Sequence, residues 1–175
     1  MSTKEPRRNP QPASNIDEVR QLARPKDMMG WLRSWWPALA WAAVIFILST
    51  DAFSLEHTNR LIGPMLRWLF PSASPERIYL LHHLIRKAAH FAEYFLFFVF
   101  IYRGIRRSRA GWHWSWALGA WLIAAVYSGL DEFHQVFVPS RGPSAWDSLL
   151  DSTGALVALL TLFILYRRFQ RTRAS

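Results

Sequence analysis

The sequence predicts an all-α membrane protein: a four-transmembrane-helix bundle, both termini cytoplasmic, with a short external helical segment between spans 1 and 2. Three observations lead there. The chain is 51% hydrophobic and 15% aromatic, with ten Trp, a composition that favours a membrane protein. Four apolar stretches, 34–50, 88–102, 112–130 and 148–166, carry almost no charge. Each is about 15–19 residues, close to the ~17–25 that cross a bilayer. Finally, fifteen of the 21 Lys and Arg precede the first stretch, lie between the second and third, or follow the fourth. The positive-inside rule puts those segments in the cytoplasm.

Taken in order, residues 1–30 are rich in Pro, Asn and charge and are expected to form a disordered, basic cytoplasmic tail. The membrane domain is expected over 31–168. Its first span runs from Ser34 to Thr50 and exits at Asp51. Residues 52–74 are external, and Gly63-Pro64 is expected to break any helix there. The apolar piece 64–70 suits the headgroup layer. Ser74-Pro75-Glu76 is a strong helix start: a Ser cap, Pro at the first position and an acid in the first turn. A helix from Pro75 to Arg103 would be about 43 Å long, so its first turns should stand outside the hydrocarbon. The third span runs from Trp112 to about Asp131, residues 132–143 connect externally, and the fourth span begins near Ser144. Residues 169–175 form a second basic cytoplasmic tail.

The net charge of +9 would suggest nucleic acid in a soluble chain. Here the Arg runs sit at span ends, which implies topology and contact with anionic lipids at the cytoplasmic face, with no nucleic acid. With no Cys, disulfides and thiolate metal sites are excluded. The first apolar stretch starts late and lacks a small-residue cleavage pattern, so it reads as a retained anchor.

Ionisable groups gather at the predicted outer ends. Lys87, His90 and Tyr94 form a stripe on one helix face, with Glu93 at its edge. Charge in an apolar span is retained where it is paired, wet or functional, and His90 or Arg141 is the expected partner of Glu93. Asp131 and His134 are three apart, so Asp131 can fix the His134 tautomer, with Gln135 one position further on. Asp147, Asp151 and Gly154 share a face of the fourth span. Gly154 either allows close helix approach or leaves room for a ligand. The His90–Glu93 and Asp131–His134 pairs have ligand-like spacing, but Lys87 would oppose a cation. No metal and no cofactor are expected.

The segment K-A-A-H-F-A-E-Y from Lys87 to Tyr94, followed by D-E-F-H-Q-V-F-V-P-S-R-G-P-S-A-W-D-S-L-L-D-S-T-G from Asp131 to Gly154, resembles the VanZ-like family of bacterial membrane proteins. Matching positions are Lys87, His90, Phe91, Tyr94, Asp131, Glu132, Gln135, Phe137, Arg141, Asp147 and Gly154, and the resemblance spans about residues 36–166. Family members often carry Asn where this chain has Asp151. The resemblance implies a multi-pass protein of the bacterial cytoplasmic membrane, associated with low-level teicoplanin resistance, and it fixes a fold more than a reaction.

The side chains themselves suit a lipid headgroup. His90, Glu93, Asp131, His134 and Asp147 are the candidate catalytic groups, with His90 as base or nucleophile. Lys87, Tyr94, Glu132, Gln135, Arg141 and Asp151 are the candidate substrate-binding groups, the cations holding phosphate. The expected activity is hydrolysis or exchange of the headgroup of a membrane phospholipid or a polyprenyl- or lipid-linked cell-wall precursor. The alternative is a non-enzymatic protein that binds such a precursor or a glycopeptide antibiotic. A transporter fits less well, because the inner halves of the predicted spans lack acids.

Overall fold

A computed structural model describes residues 25–138 and 144–174. Among these described residues five α-helices follow in order: α1 (Pro25–Leu48), α2 (Leu55–Leu69), α3 (Pro75–Arg106), α4 (Trp114–Gln135) and α5 (Ala145–Ala174). A 3-10 turn, Asp51–Phe53, joins α1 to α2.

The centre of the bundle is α3, which packs against all four other helices, most extensively against α5. Its inner face is bulky: Tyr94, Phe97, Phe98 and Ile101 are buried. The facing helices answer with small residues, Ala117, Ala120 and Ala124 on α4 and Ala155 and Ala158 on α5. Small side chains at such positions let helix backbones approach closely, which replaces the hydrophobic drive that lipid does not supply. Gly154 marks a close approach of α5 to α3: a Cβ there would lie 2.4 Å from the Phe91 carbonyl oxygen. Helix contact therefore accounts for this glycine.

Side chains also reach across to backbone carbonyls. Trp41 donates its indole N–H to the Glu93 carbonyl at 2.9 Å, Trp121 to the Ser152 carbonyl at 3.1 Å, and the Tyr127 hydroxyl to the Ala42 carbonyl at 2.8 Å. Large apolar residues remain exposed, among them Leu39 and Ile47 on α1, Leu122 and Val126 on α4, and Leu160 and Ile164 on α5. Such an exterior suits lipid rather than water.

The expectation of four spans is corrected. Among the described residues, two helices are long and apolar enough to cross a membrane, Met28–Leu48 in α1 and Ala145–Arg173 in α5. The reason lies in α3 and α4. Glu76, Arg77, Arg86, Lys87 and Glu93 punctuate the first two-thirds of α3, and Arg103 and Arg106 its end. Much of α4 is Trp, Tyr, Ser and Gly, ending in Asp131 and Glu132. Its stretch looked span-like because it lacks charge, not because it is strongly apolar. The sides assigned to the termini and to residues 103–109 rested on four crossings, and they fall with them.

Other boundaries also move. Pro25 opens α1 inside the stretch expected to be tail, and α5 continues to Ala174 through the second expected tail; residues 1–24 lie outside the described ones. Helix α2 runs straight through Gly63 and Pro64. Pro64 is exposed, so the one intrahelical bond it cannot make is lost at the surface rather than in the core. The predicted start of α3 matches: the Ser74 side chain accepts from the Arg77 N–H, with Pro75 in the first turn.

Candidate functional site

The first half of α3, the C-terminal turns of α1 and α4, and the first turns of α5 meet at one end of the bundle. Each brings polar groups because its sequence turns polar there. The centre is His90. Its Nδ1 lies 3.9 Å from Glu93 Oε2 and 3.8 Å from Asp151 Oδ1. The Asp151 side chain is fully buried. The Ser128 hydroxyl donates to Asp151 Oδ2 at 3.2 Å, and Glu93, Asp131 and Glu132 all act on Asp151 electrostatically. The buried Tyr94 ring carries its hydroxyl into the field of Asp131 and Asp151.

A second group surrounds Asp131. Its Oδ2 accepts from the Ser49 hydroxyl at 2.6 Å and from the Gln135 amide at 3.1 Å, while Oδ1 is buried without a hydrogen bond. The Glu132 carboxylate accepts from the Gln135 amide at 3.4 Å and from the Ser144 N–H at 2.8 Å. The last contact ties the start of α5 to the end of α4. Lys87 and Asp147 form an ion pair at 2.8 Å, both half-exposed.

One expected relation is not made. Asp131 does not hold His134: the His134 ring packs 4.6 Å from the Phe46 ring, and its Nδ1 has no hydrogen-bond partner. Asp51, at the end of the first apolar stretch, pairs outward with His57 at 3.9 Å. Arg141 lies outside the described residues.

The polar face of α3 instead runs through His82, Arg86, His90 and Glu93. These four line a cavity of about 150 Å³, closed on the other side by Phe53, Thr58 and Ile62. Arg86 donates to the Phe53 carbonyl at 3.3 Å. Burial pulls its pKa below the ordinary value, while Asp147, Glu93 and Glu132 act in the opposite sense. His82 is buried, with Nε2 3.2 Å from the Thr58 hydroxyl. Burial lowers its pKa, helped by Arg86 and His83. Sequence reasoning missed Arg86, His82, Ser49 and Ser128. The four-residue spacing of His82, Arg86 and His90 was a usable signal; Ser49 gave none.

Among the described residues, no three His, Asp or Glu side chains form a group able to hold a metal ion. The arrangement can do two things chemically. A cation at the cavity wall can hold an anionic group, and an imidazole backed by two carboxylates can exchange a proton with it.

No curated protein and no solved structure is significantly similar to the chain. A family model, VanZ/LLP1, matches residues 34–166 of the 175. The match takes in every helix of the polar end, from Ser49 just beyond α1 to Asp151 on α5. The chain belongs to the VanZ/LLP1 family of bacterial membrane proteins.

Proposed function

We propose that the polar end binds the headgroup of a phospholipid or polyprenyl-linked wall precursor in the bacterial cytoplasmic membrane, and hydrolyses or exchanges it. The observation that carries this reading is His90 Nδ1 set between Glu93 and Asp151 at the wall of a cavity that Arg86 also lines. Arg86 takes the role of anchoring the phosphate, by a charge-assisted, two-pronged contact. Glu93 and Asp151, 3.9 and 3.8 Å from Nδ1, stabilise electrostatically the imidazolium that forms when the ring takes a proton, and leave Nε2 as the working nitrogen. Water or an acceptor hydroxyl, deprotonated by His90, attacks the phosphorus, and the leaving headgroup oxygen takes the proton back. Ser49, Gln135 and Ser128 hold Asp131 and Asp151 in place.

The lipid source of the substrate follows from the cavity's other wall. Thr58 and Ile62 belong to α2, and its Leu61, Met65 and Trp68 stand exposed on the same helix. Such a helix sits at a headgroup layer and would deliver a lipid to the cavity edge. The Arg-rich opposite end lies against anionic lipid.

The test is mass spectrometry of envelope lipids from cells expressing the wild-type chain, His90→Ala or Arg86→Gln at matched abundance. A new or missing headgroup in the wild type alone is the expected result, with a parallel fall in teicoplanin susceptibility. Unchanged lipids, with lipid still retained by the purified wild type and lost in Arg86→Gln, would replace the enzyme by a binding protein.

A further inference from the structure

The opposite end of the bundle holds a larger cavity, about 720 Å³, between the end of α3, the connection leading to α4 and the end of α5. That volume falls in the range of small-molecule sites. Arg103, Arg106, Arg107 and Arg173 line it together with Trp112 and Tyr166. No acid lines it, and neither 94–130 nor 152–175 contains an Asp or Glu. Four guanidinium groups around one hollow repel each other unless an anion joins them. The C-terminal carbonyls of α3 and α5 offset part of this.

The donors are unequally used. Arg106 donates its Nε to the Arg109 carbonyl, and the Arg173 guanidinium lies over the Phe169 ring. The Arg103 and Arg107 guanidinium groups have no hydrogen bond or ion pair among the described residues. The Trp112 indole N–H is buried with no acceptor. Arg107 also caps α3 with φ +52° and ψ −129°, a conformation an L residue adopts only under strain. Strain of this kind concentrates at ligand sites. Arg103, Arg107 and Trp112 are thus donors without an acceptor, beside an aromatic wall in which the Trp112 and Tyr166 rings lie 6.1 Å apart.

We propose that this cavity is a binding site for a phosphate-bearing amphiphile. Arg103 and Arg107 pair with the phosphate oxygens, and Trp112 donates to a phosphate or ester oxygen. The volume and the aromatic wall accommodate the glycerol and the head of the chains, so a lipid fits better than free phosphate. This goes beyond surface attraction to anionic lipid, and it does not depend on any chemistry at the His90 end.

The experiment is native mass spectrometry of the full chain in detergent, offered phosphatidylglycerol and phosphatidylcholine with identical chains. The wild type should retain phosphatidylglycerol preferentially. The double variant Arg103→Gln/Arg107→Gln should weaken it at least tenfold, and Trp112→Phe about three- to tenfold. Arg167→Gln/Arg168→Gln, exposed on α5 outside the cavity, should change little. Equal losses in the two arginine pairs, or full retention in Trp112→Phe, would overturn the site; the Trp variant decides the matter if the arginine pair fails to fold. Displacement by millimolar glycerol phosphate would overturn the amphiphile and leave the phosphate group as the ligand. None of these variants should alter the headgroup composition of envelope lipids, so this result and the fate of the His90 reading are separable.

Discussion

Gly154→Ala tests whether the α3–α5 crossing positions the polar end. The added Cβ would stand 2.4 Å from Phe91 O, 3.2 Å from Phe91 C and 3.3 Å from Phe91 Cα. All three are backbone atoms, so no side chain can swing away. Relief to an ordinary contact of about 3.0–3.4 Å requires the helices to part locally by about 0.6–1 Å. Overpacking of this kind costs about 1–3 kcal/mol, against a helix-propensity gain of ~1 kcal/mol for Ala over Gly. The net expectation is a loss of up to about 2 kcal/mol. Phe91 adjoins His90, and Asp151 lies one turn from Gly154, so the 3.8 Å His90–Asp151 approach widens with the crossing. A displacement near 1 Å can lower a rate by about a hundredfold. Gly119→Ala is the internal control: nothing lies within 4 Å of its Cβ position, so the propensity gain should appear alone. Thermal unfolding of both purified variants in detergent, with the lipid readout beside it, checks the pair. If Gly154→Ala were as stable as Gly119→Ala and kept full activity, the close crossing would not be what organises the site.

Two further outcomes follow from the same end of the bundle. Burial holds the folded-state pKa of His82 below its ordinary 6.5, so its contribution to stability is complete above that value and declines as pH falls, because the unfolded chain takes up the proton first. The thermal midpoint should therefore fall between about pH 7 and about pH 5, with a shallower slope in His82→Gln; an unchanged slope in that variant would count against it. The Lys87–Asp147 pair is 38% exposed on both sides, so Asp147→Asn should lower stability by less than about 1 kcal/mol, and a double-mutant cycle with Lys87→Met returning several times that would show the pair to be shielded from water.

The sequence disclosed local features well. Ser74-Pro75-Glu76 marked the start of α3 because capping depends only on neighbours in the chain. The gathering of acids and histidines at one end was readable because helix ends inherit the polarity of their sequence. Facing was harder. From spacing alone, a stripe through Lys87 and one through Arg86 are equally good, and only the packing of α2 against α3 selects Arg86 for the cavity. Asp131 shows the same limit. His134, three positions on, was the near partner by spacing, but Ser49 takes the carboxylate from 82 positions away. No local rule reaches that far. The span count failed for a different reason, since absence of charge was taken for hydrophobicity in a helix rich in Trp, Tyr and Ser.

That failure and the site have one cause. The helix whose charges disqualify it as a span, α3, is the one that carries Arg86, His90 and Glu93. Ionised groups held away from water are expensive unless partners cover them. Here the covering is specific: the Ser128 hydroxyl from α4 donates to the Asp151 carboxylate of α5, and that carboxylate lies 3.8 Å from His90 Nδ1. A helix needed only for packing would meet the same neighbours more cheaply with apolar side chains, as its own second half does through Phe97, Phe98 and Ile101. The contrast between the two halves of α3 is therefore the strongest physical argument that its polar half is retained for chemistry. It also sets a comparison: substitutions at Phe98 should be read out in stability, and substitutions at His90 in what becomes of the lipid.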